Sequence, residues 1–155
     1  MRTTRNKVPR MYEDGDKLRI GKGSVLKEGD DLAIFSCGVM VVEAMAASDT
    51  LSAEGIECSV VDMHTIKPLD KSLISKLATR CGCFVSAEDH SVIGGLGSAL
   101  SEWIAANNPI PLEMVGVKDI FGQSGSSSEL MEIMGLTQTE ICEAARRAVG
   151  RKNSL

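Results

Sequence analysis

The strongest constraint on this chain is an alternation. Apolar runs of strand length recur at residues 31–36, 56–62, 83–86 and 112–117. Between them lie stretches whose apolar residues recur at the three-and-four spacing of a helix with one buried face. Strand, helix, strand, helix in succession implies parallel strands joined by right-handed crossovers. Ahead of them, Leu18, Ile20, Val25 and Leu26 suggest a short first strand, and Lys27–Asp30 a turn in which Gly29 takes positive φ. Two strands joined so closely run antiparallel, as a hairpin. The expected fold is a three-layer α/β/α sandwich around a mostly parallel five-stranded sheet with one antiparallel edge strand.

The helices have readable ends. A first helix is expected over 39–53, with Val39, Val42, Met45 and Ala46 as its buried face and Gly55 beyond its end. Asp70 suits the N-cap of a second helix, 71–80, which turns Leu73, Ile74 and Leu77 inward and stops at Gly82. A third covers about 96–106 and contains Trp103; Pro109 and Pro111 prevent its continuation. Residues 118–125 read as a long polar loop holding Phe121. Ser127 or Ser128 could cap a short helix over 129–134. Thr137 and Glu140 have capping-box spacing and open a last helix running to about Val149, followed by a frayed end. Residues 1–16 show neither period and read as a linker, 17–150 as one domain, and 151–155 as a tail.

Residues 86–97, Ser-Ala-Glu-Asp-His-Ser-Val-Ile-Gly-Gly-Leu-Gly, place acidic groups, a histidine and three glycines where a strand gives way to a helix. In open α/β sheets, ligands and partner surfaces dock outside the carboxyl ends of the strands. The junction is therefore a site, half of a site, or a tight turn. A dinucleotide fingerprint fails, because Leu100 occupies the third glycine position and the motif follows a late strand. The glycines Gly94, Gly95 and Gly97 can serve close helix–sheet packing. Alternatively, the free N–H groups of the helix start receive an anion or a partner carboxylate. Glu88, Asp89 and His90 could act as acid, base or orienting group, yet no nucleophile is spaced beside them; His90 equally suits an interface. His64 lies at another strand end. Gly21-Lys22-Gly23-Ser24 lacks the spacing of a phosphate loop.

Composition excludes several classes. A net charge of −4 argues against nucleic acid as a partner. No apolar run approaches the roughly 20 residues of a membrane span. Two distant histidines and five cysteines without C-x-x-C spacing make a zinc set hard to assemble. The odd cysteine count argues against a disulfide framework and for a cytoplasmic protein.

Three segments together resemble the C-terminal domain of transketolases: residues 62–70 (Asp-Met-His-Thr-Ile-Lys-Pro-Leu-Asp), 87–99 (Ala-Glu-Asp-His-Ser-Val-Ile-Gly-Gly-Leu-Gly-Ser-Ala) and 116–125 (Gly-Val-Lys-Asp-Ile-Phe-Gly-Gln-Ser-Gly). The resemblance covers roughly residues 17–150. It implies a part of an enzyme that transfers a two-carbon ketol unit between sugar phosphates. The family's thiamine diphosphate and Mg²⁺ lie between pyrophosphate- and pyrimidine-binding domains of facing subunits. Neither the Gly-Asp-Gly metal motif nor the activating glutamate of those domains is found here, so no cofactor is expected on this chain and no catalytic residue is assigned.

The implied partners are the thiamine-binding domains of the same enzyme, on the same or a separate chain, in a dimeric whole. Residues 4–9 resemble the end of the pyrimidine-binding domain, and Arg5 matches an arginine that holds the substrate phosphate. His64, Glu88, Asp89, His90, Gly94, Gly95 and Gly97 are then candidates for an interface or ligand edge. Alternatives are the corresponding domain of deoxyxylulose-5-phosphate synthase or of a 2-oxo acid dehydrogenase β subunit, and a free-standing regulatory module.

Overall fold

A mixed five-stranded sheet in the order β1-β3-β2-β4-β5 is the frame of the molecule. The computed structural model describes residues 8–154. Their elements are β1 (Ser24–Lys27), β2 (Leu32–Ser36), α1 (Met40–Ala53), β3 (Cys58–Asp62), α2 (Lys71–Cys81), β4 (Phe84–Ser91), α3 (Leu96–Asn107), β5 (Leu112–Val117), α4 (Ser127–Ile133) and α5 (Gln138–Lys152). Strands β3, β2, β4 and β5 are parallel, and β1 runs antiparallel along β3. This is the expected α/β sandwich.

Alternation along the central strands feeds two cores. Leu32, Ile34, Val60 and Val85 pack with Met40, Ala44, Leu51, Ile141 and Ala145 on the α1/α5 face. Ala33, Phe35, Val61 and Phe84 pack with Ile74, Leu77, Leu96 and Leu100 on the α2/α3 face. Every residue of β2 and β3 is buried, so neither strand can show the polar alternation of a one-sided sheet. Phe35 and Phe84 meet edge to face, with centroids 4.8 Å apart.

The first hairpin is the clearest departure. β1 has the expected direction, but its neighbour is β3, not β2. Gly29 is buried in the connection that crosses the start of β3. A Cβ there would lie 2.5 Å from backbone atoms of Glu57 and Cys58. Ser59 Oγ accepts from Gly29 N at 3.0 Å and donates to Gly29 O at 2.7 Å. Gly29 is thus required by close approach; its φ is not positive. Leu18 and Ile20 lie outside β1 and are exposed.

Other boundaries move for local reasons. The fully buried positions of α1 are Met40, Val41, Ala44, Ala47, Ser48 and Leu51, whereas Val39, Val42, Met45 and Ala46 are half-buried. The helix is apolar on most sides because it packs on both the sheet and α5, where Gln138 Nε2 reaches Ala46 O and Thr50 Oγ1. The cap of α4 is Ser126, in a reciprocal capping box with Glu129, rather than Ser127 or Ser128. α5 continues through Gly150 to Lys152, whose ammonium donates to Asp31 O at 2.7 Å and Cys81 O at 3.2 Å. Asp70 caps α2 through Leu73 N, and Gly82 ends it at φ 71°, a conformation that costs an L side chain and favours glycine.

Candidate functional site at the strand carboxyl ends

Parallel pairing puts Ser36, Asp62, Ser91 and Val117 at one edge of the sheet. β4 runs five residues further than its apolar run suggests, so Glu88, Asp89 and His90 sit on the strand rather than in the following loop. The pairing with β5 is irregular between Ala87 and Ser91 and resumes at Ser91 opposite Val117. Gly116 permits this bend: a Cβ there would lie 2.9 Å from His90 O and 3.3 Å from Glu88 O. Polar residues can occupy this stretch because it extends past the helices that bury the first half of the strand.

Glu88 is turned back into its own domain. Its Oε2 accepts from Leu96 N, the first residue of α3, at 2.7 Å. The N-cap residue, Gly95, offers no side chain to the helix, so the carboxylate of Glu88 supplies the missing acceptor and faces the positive end of the helix dipole. A Cβ on Gly95 would collide with that carboxylate. Gly97 admits Ser86 Oγ and Met114 Sδ, which would stand 2.7 and 2.8 Å from an added Cβ. Gly94 has φ 78°, and its N–H donates to Ser98 Oγ at 2.8 Å. The cavity beneath, lined by Ser86, Glu88, His90, Gly97 and Met114, measures about 10 Å³. That is room for one water at most.

Asp89 and His90 are exposed, and His90 Nδ1 lies 3.0 Å from Ser91 O. His64 is half-buried just past β3; its Nδ1 is 3.0 Å from Thr65 Oγ1, and its Nε2 is buried with no hydrogen-bond partner among the described residues. β2 separates the strands that carry the two histidines. The structure thus brings Glu88, Gly95 and Gly97 together with α3 and leaves His64 apart. No group of three or more His, Cys, Asp or Glu among the described residues could hold a metal ion. Arg5 lies outside the described residues.

Sequence reasoning missed two features. Tyr12 Oη donates to Asp62 Oδ2 at 2.6 Å across fifty residues, a contact that no local pattern announces. At the opposite edge of the sheet, Pro109, Pro111, Glu113, Arg147, Arg151 and Ser154 line an open groove of about 710 Å³. There Arg147 Nε and Arg151 Nη1 donate to the two oxygens of Glu113 at 3.1 and 2.7 Å. Burial pushes the Glu113 carboxyl up, but these bonds outweigh it and hold the group below its ordinary range.

The family model for the transketolase C-terminal domain matches residues 21–141. The chain belongs to the transketolase C-terminal domain family. Over 153 residues, 99% of this chain and 48% of the relative, it is 42% identical to a 6-deoxy-6-sulfo-D-fructose transketolase subunit from Clostridium sp. (strain MSTE9). Over 94% of this chain and 23% of the relative, it is 38% identical to a 1-deoxy-D-xylulose-5-phosphate synthase from Trichormus variabilis. A solved structure described as a split gene transketolase, an inactive β4 tetramer, superposes with a TM-score of 0.93 at 42% identity, covering 96% of this chain and 48% of that one. The chain therefore spans about half the length of the first of these relatives and less than a quarter of the second. In this transketolase C-terminal domain, the glycine-rich segment of the family resemblance is the β4–α3 connection, closed by Glu88 on the start of α3.

Proposed function

We propose that this domain is the structural and interfacial C-terminal part of a transketolase that moves a two-carbon ketol unit between sugar phosphates, and that the chain alone is inactive. The observation that carries the reading is the closure of Glu88 on α3: the one helix start at the glycine-rich edge is filled by the domain's own carboxylate. The cavity below it, about 10 Å³, has room for one water at most, which supports reading this edge as packed rather than as a cofactor pocket. The cofactor and its Mg²⁺ belong to pyrophosphate- and pyrimidine-binding domains, on the same or a separate chain, and Arg5 would contribute a guanidinium to the substrate phosphate there.

What remains available at the edge suits a protein partner. Asp89 and His90 are exposed, and Ile93, Ile120 and Phe121, the last 97% exposed, are apolar residues on the two neighbouring loops. His64, Gly94 and the two exposed polar groups are the contacts we assign to the thiamine-binding domains. The tetrameric split-gene structure supports assembly with further chains. Cys58, Cys81, Cys83 and Cys142 are buried as free thiols, a state that suits the reducing cytoplasm we assign to the protein. No described helix is long and apolar enough to cross a membrane.

Calorimetric titration of the chain with thiamine diphosphate and Mg²⁺ is expected to give no binding heat, and ketol transfer is expected only after the thiamine-binding domains are added. Micromolar cofactor binding, or turnover by the chain alone, would overturn the proposal. A second reading, the same domain of a deoxyxylulose-5-phosphate synthase, is supported by the 38% identical relative. Pyruvate consumption by the reassembled enzyme, in place of ketol transfer, would select it.

A further inference from the structure

The segment ahead of β1 is joined to the domain through a buried carboxylate. Residues 8–10 and 13–20 are exposed. Their described hydrogen bonds are local: Arg10 to Tyr12 O and Asp14, Glu13 N to Asp16, Asp16 N to Glu13 O, and Lys22 N to Arg19 O. Tyr12 alone among residues 8–20 is described reaching across the fold, to Asp62 Oδ2 at 2.6 Å. Asp62 ends β3 opposite Ser24 of β1, and it is only 6% exposed. Its other oxygen, Oδ1, is buried with no partner among the described residues.

A carboxylate so placed is costly unless something donates to it. Neither the sheet ladder nor either core needs an acid at this position. The donor it has comes from the arm. Burial, then the bond to Asp62, push the Tyr12 phenol up to about 12, so the hydroxyl keeps its proton and donates throughout the neutral range.

We propose that Tyr12 and Asp62 form a latch that straps the arm across the β3 end of the sheet and fixes the direction from which the chain enters the domain. Asp62 is a positioning residue in this scheme, and the closed arm supplies the donor to one of its two oxygens. The latch itself does not depend on the transketolase reading.

The test uses the 155-residue chain and needs no enzymatic assay. Limited trypsin digestion reads the arm at Arg10, Lys17 and Arg19, all exposed. Cleavage tracks the population of the open arm when reclosing is fast. Tyr12→Phe removes only the hydroxyl, and a hydrogen bond to a charged group predicts at least about tenfold faster cleavage. Glu13→Gln, a neighbouring change away from the latch, should cut at the wild-type rate. Amide exchange of β2 and β4 should be unchanged in Tyr12→Phe. Asp62→Asn should loosen the arm as well, and if it does not fold, Tyr12→Phe decides alone. Wild-type cleavage in Tyr12→Phe, or protection lost equally across β2 and β4, overturns the latch.

Discussion

Replacing Glu88 tests the geometry on which the functional reading rests. In the wild type its carboxylate accepts from Leu96 N at 2.7 Å at the start of a twelve-residue helix whose own N-cap is a glycine. Glu88→Ala removes a charge-assisted hydrogen bond, worth roughly 1.5–3 kcal/mol when buried and less at this half-buried site. It also removes a favourable charge at the helix N-terminus, roughly 0.3–1 kcal/mol. Together these give about 2 kcal/mol. For a chain of this length, that corresponds to a Tm lower by about 4–8 °C. Glu88→Gln keeps an acceptor and loses only the charge, so its cost should be about half. Thermal unfolding measures both, and amide exchange at Leu96 should accelerate locally in Glu88→Ala. If both variants melt with the wild type and Leu96 stays protected, the carboxylate is not the cap, and the helix start is open to an outside anion after all.

Two further outcomes follow from the fold. Gly29→Ala should cost about 3 kcal/mol or more, because the new methyl would meet three backbone atoms at 2.5 Å that no rotamer change can move; a lower urea midpoint with an unchanged m-value is the check. Glu113 has a depressed folded-state pKa, so its contribution is present at neutral pH and is lost as pH falls through and below the ordinary carboxylate value of about 4.3. Glu113→Gln should therefore be less stable than wild type at pH 7, with the gap closing in acid; a gap that stays constant with pH contradicts the pairing with Arg147 and Arg151.

The layer order of this fold was legible because its evidence is periodic. The apolar runs at β2, β3 and β5, the cap Asp70 and the stop Gly82 each belong to a short window, and each is found close to where the pattern places it; β4 begins there too but runs on to Ser91. Strand order is not local information. The Lys27–Asp31 connection reads as a tight turn in any sequence window; only the arrival of β3, thirty residues on, turns it into a crossing and changes the role of Gly29 from turn former to close approach. The face of α1 was illegible for a different reason. A helix covered by a sheet on one side and by α5 on another has no polar stripe from which to measure.

The edge motif shows the same division between local and distant causes. Three glycines at a strand–helix junction announce that something comes close, but not what. Here the approaching groups are Glu88 at Gly95, and Ser86 with Met114 at Gly97; all but Met114 lie within eleven residues of the glycine concerned. The motif is consumed in packing α3 onto β4 and β5 and in capping it. Acid, histidine and glycine are adjacent in a segment where one strand end both closes a helix and carries exposed groups. Glu88 does the first, on the face that carries α3. Asp89, His90 and Ile93 are the exposed groups of the second. Ser86, Glu88, His90, Gly97 and Met114 converge here on a space of about 10 Å³, room for one water at most, so packing and capping account for the geometry of the motif.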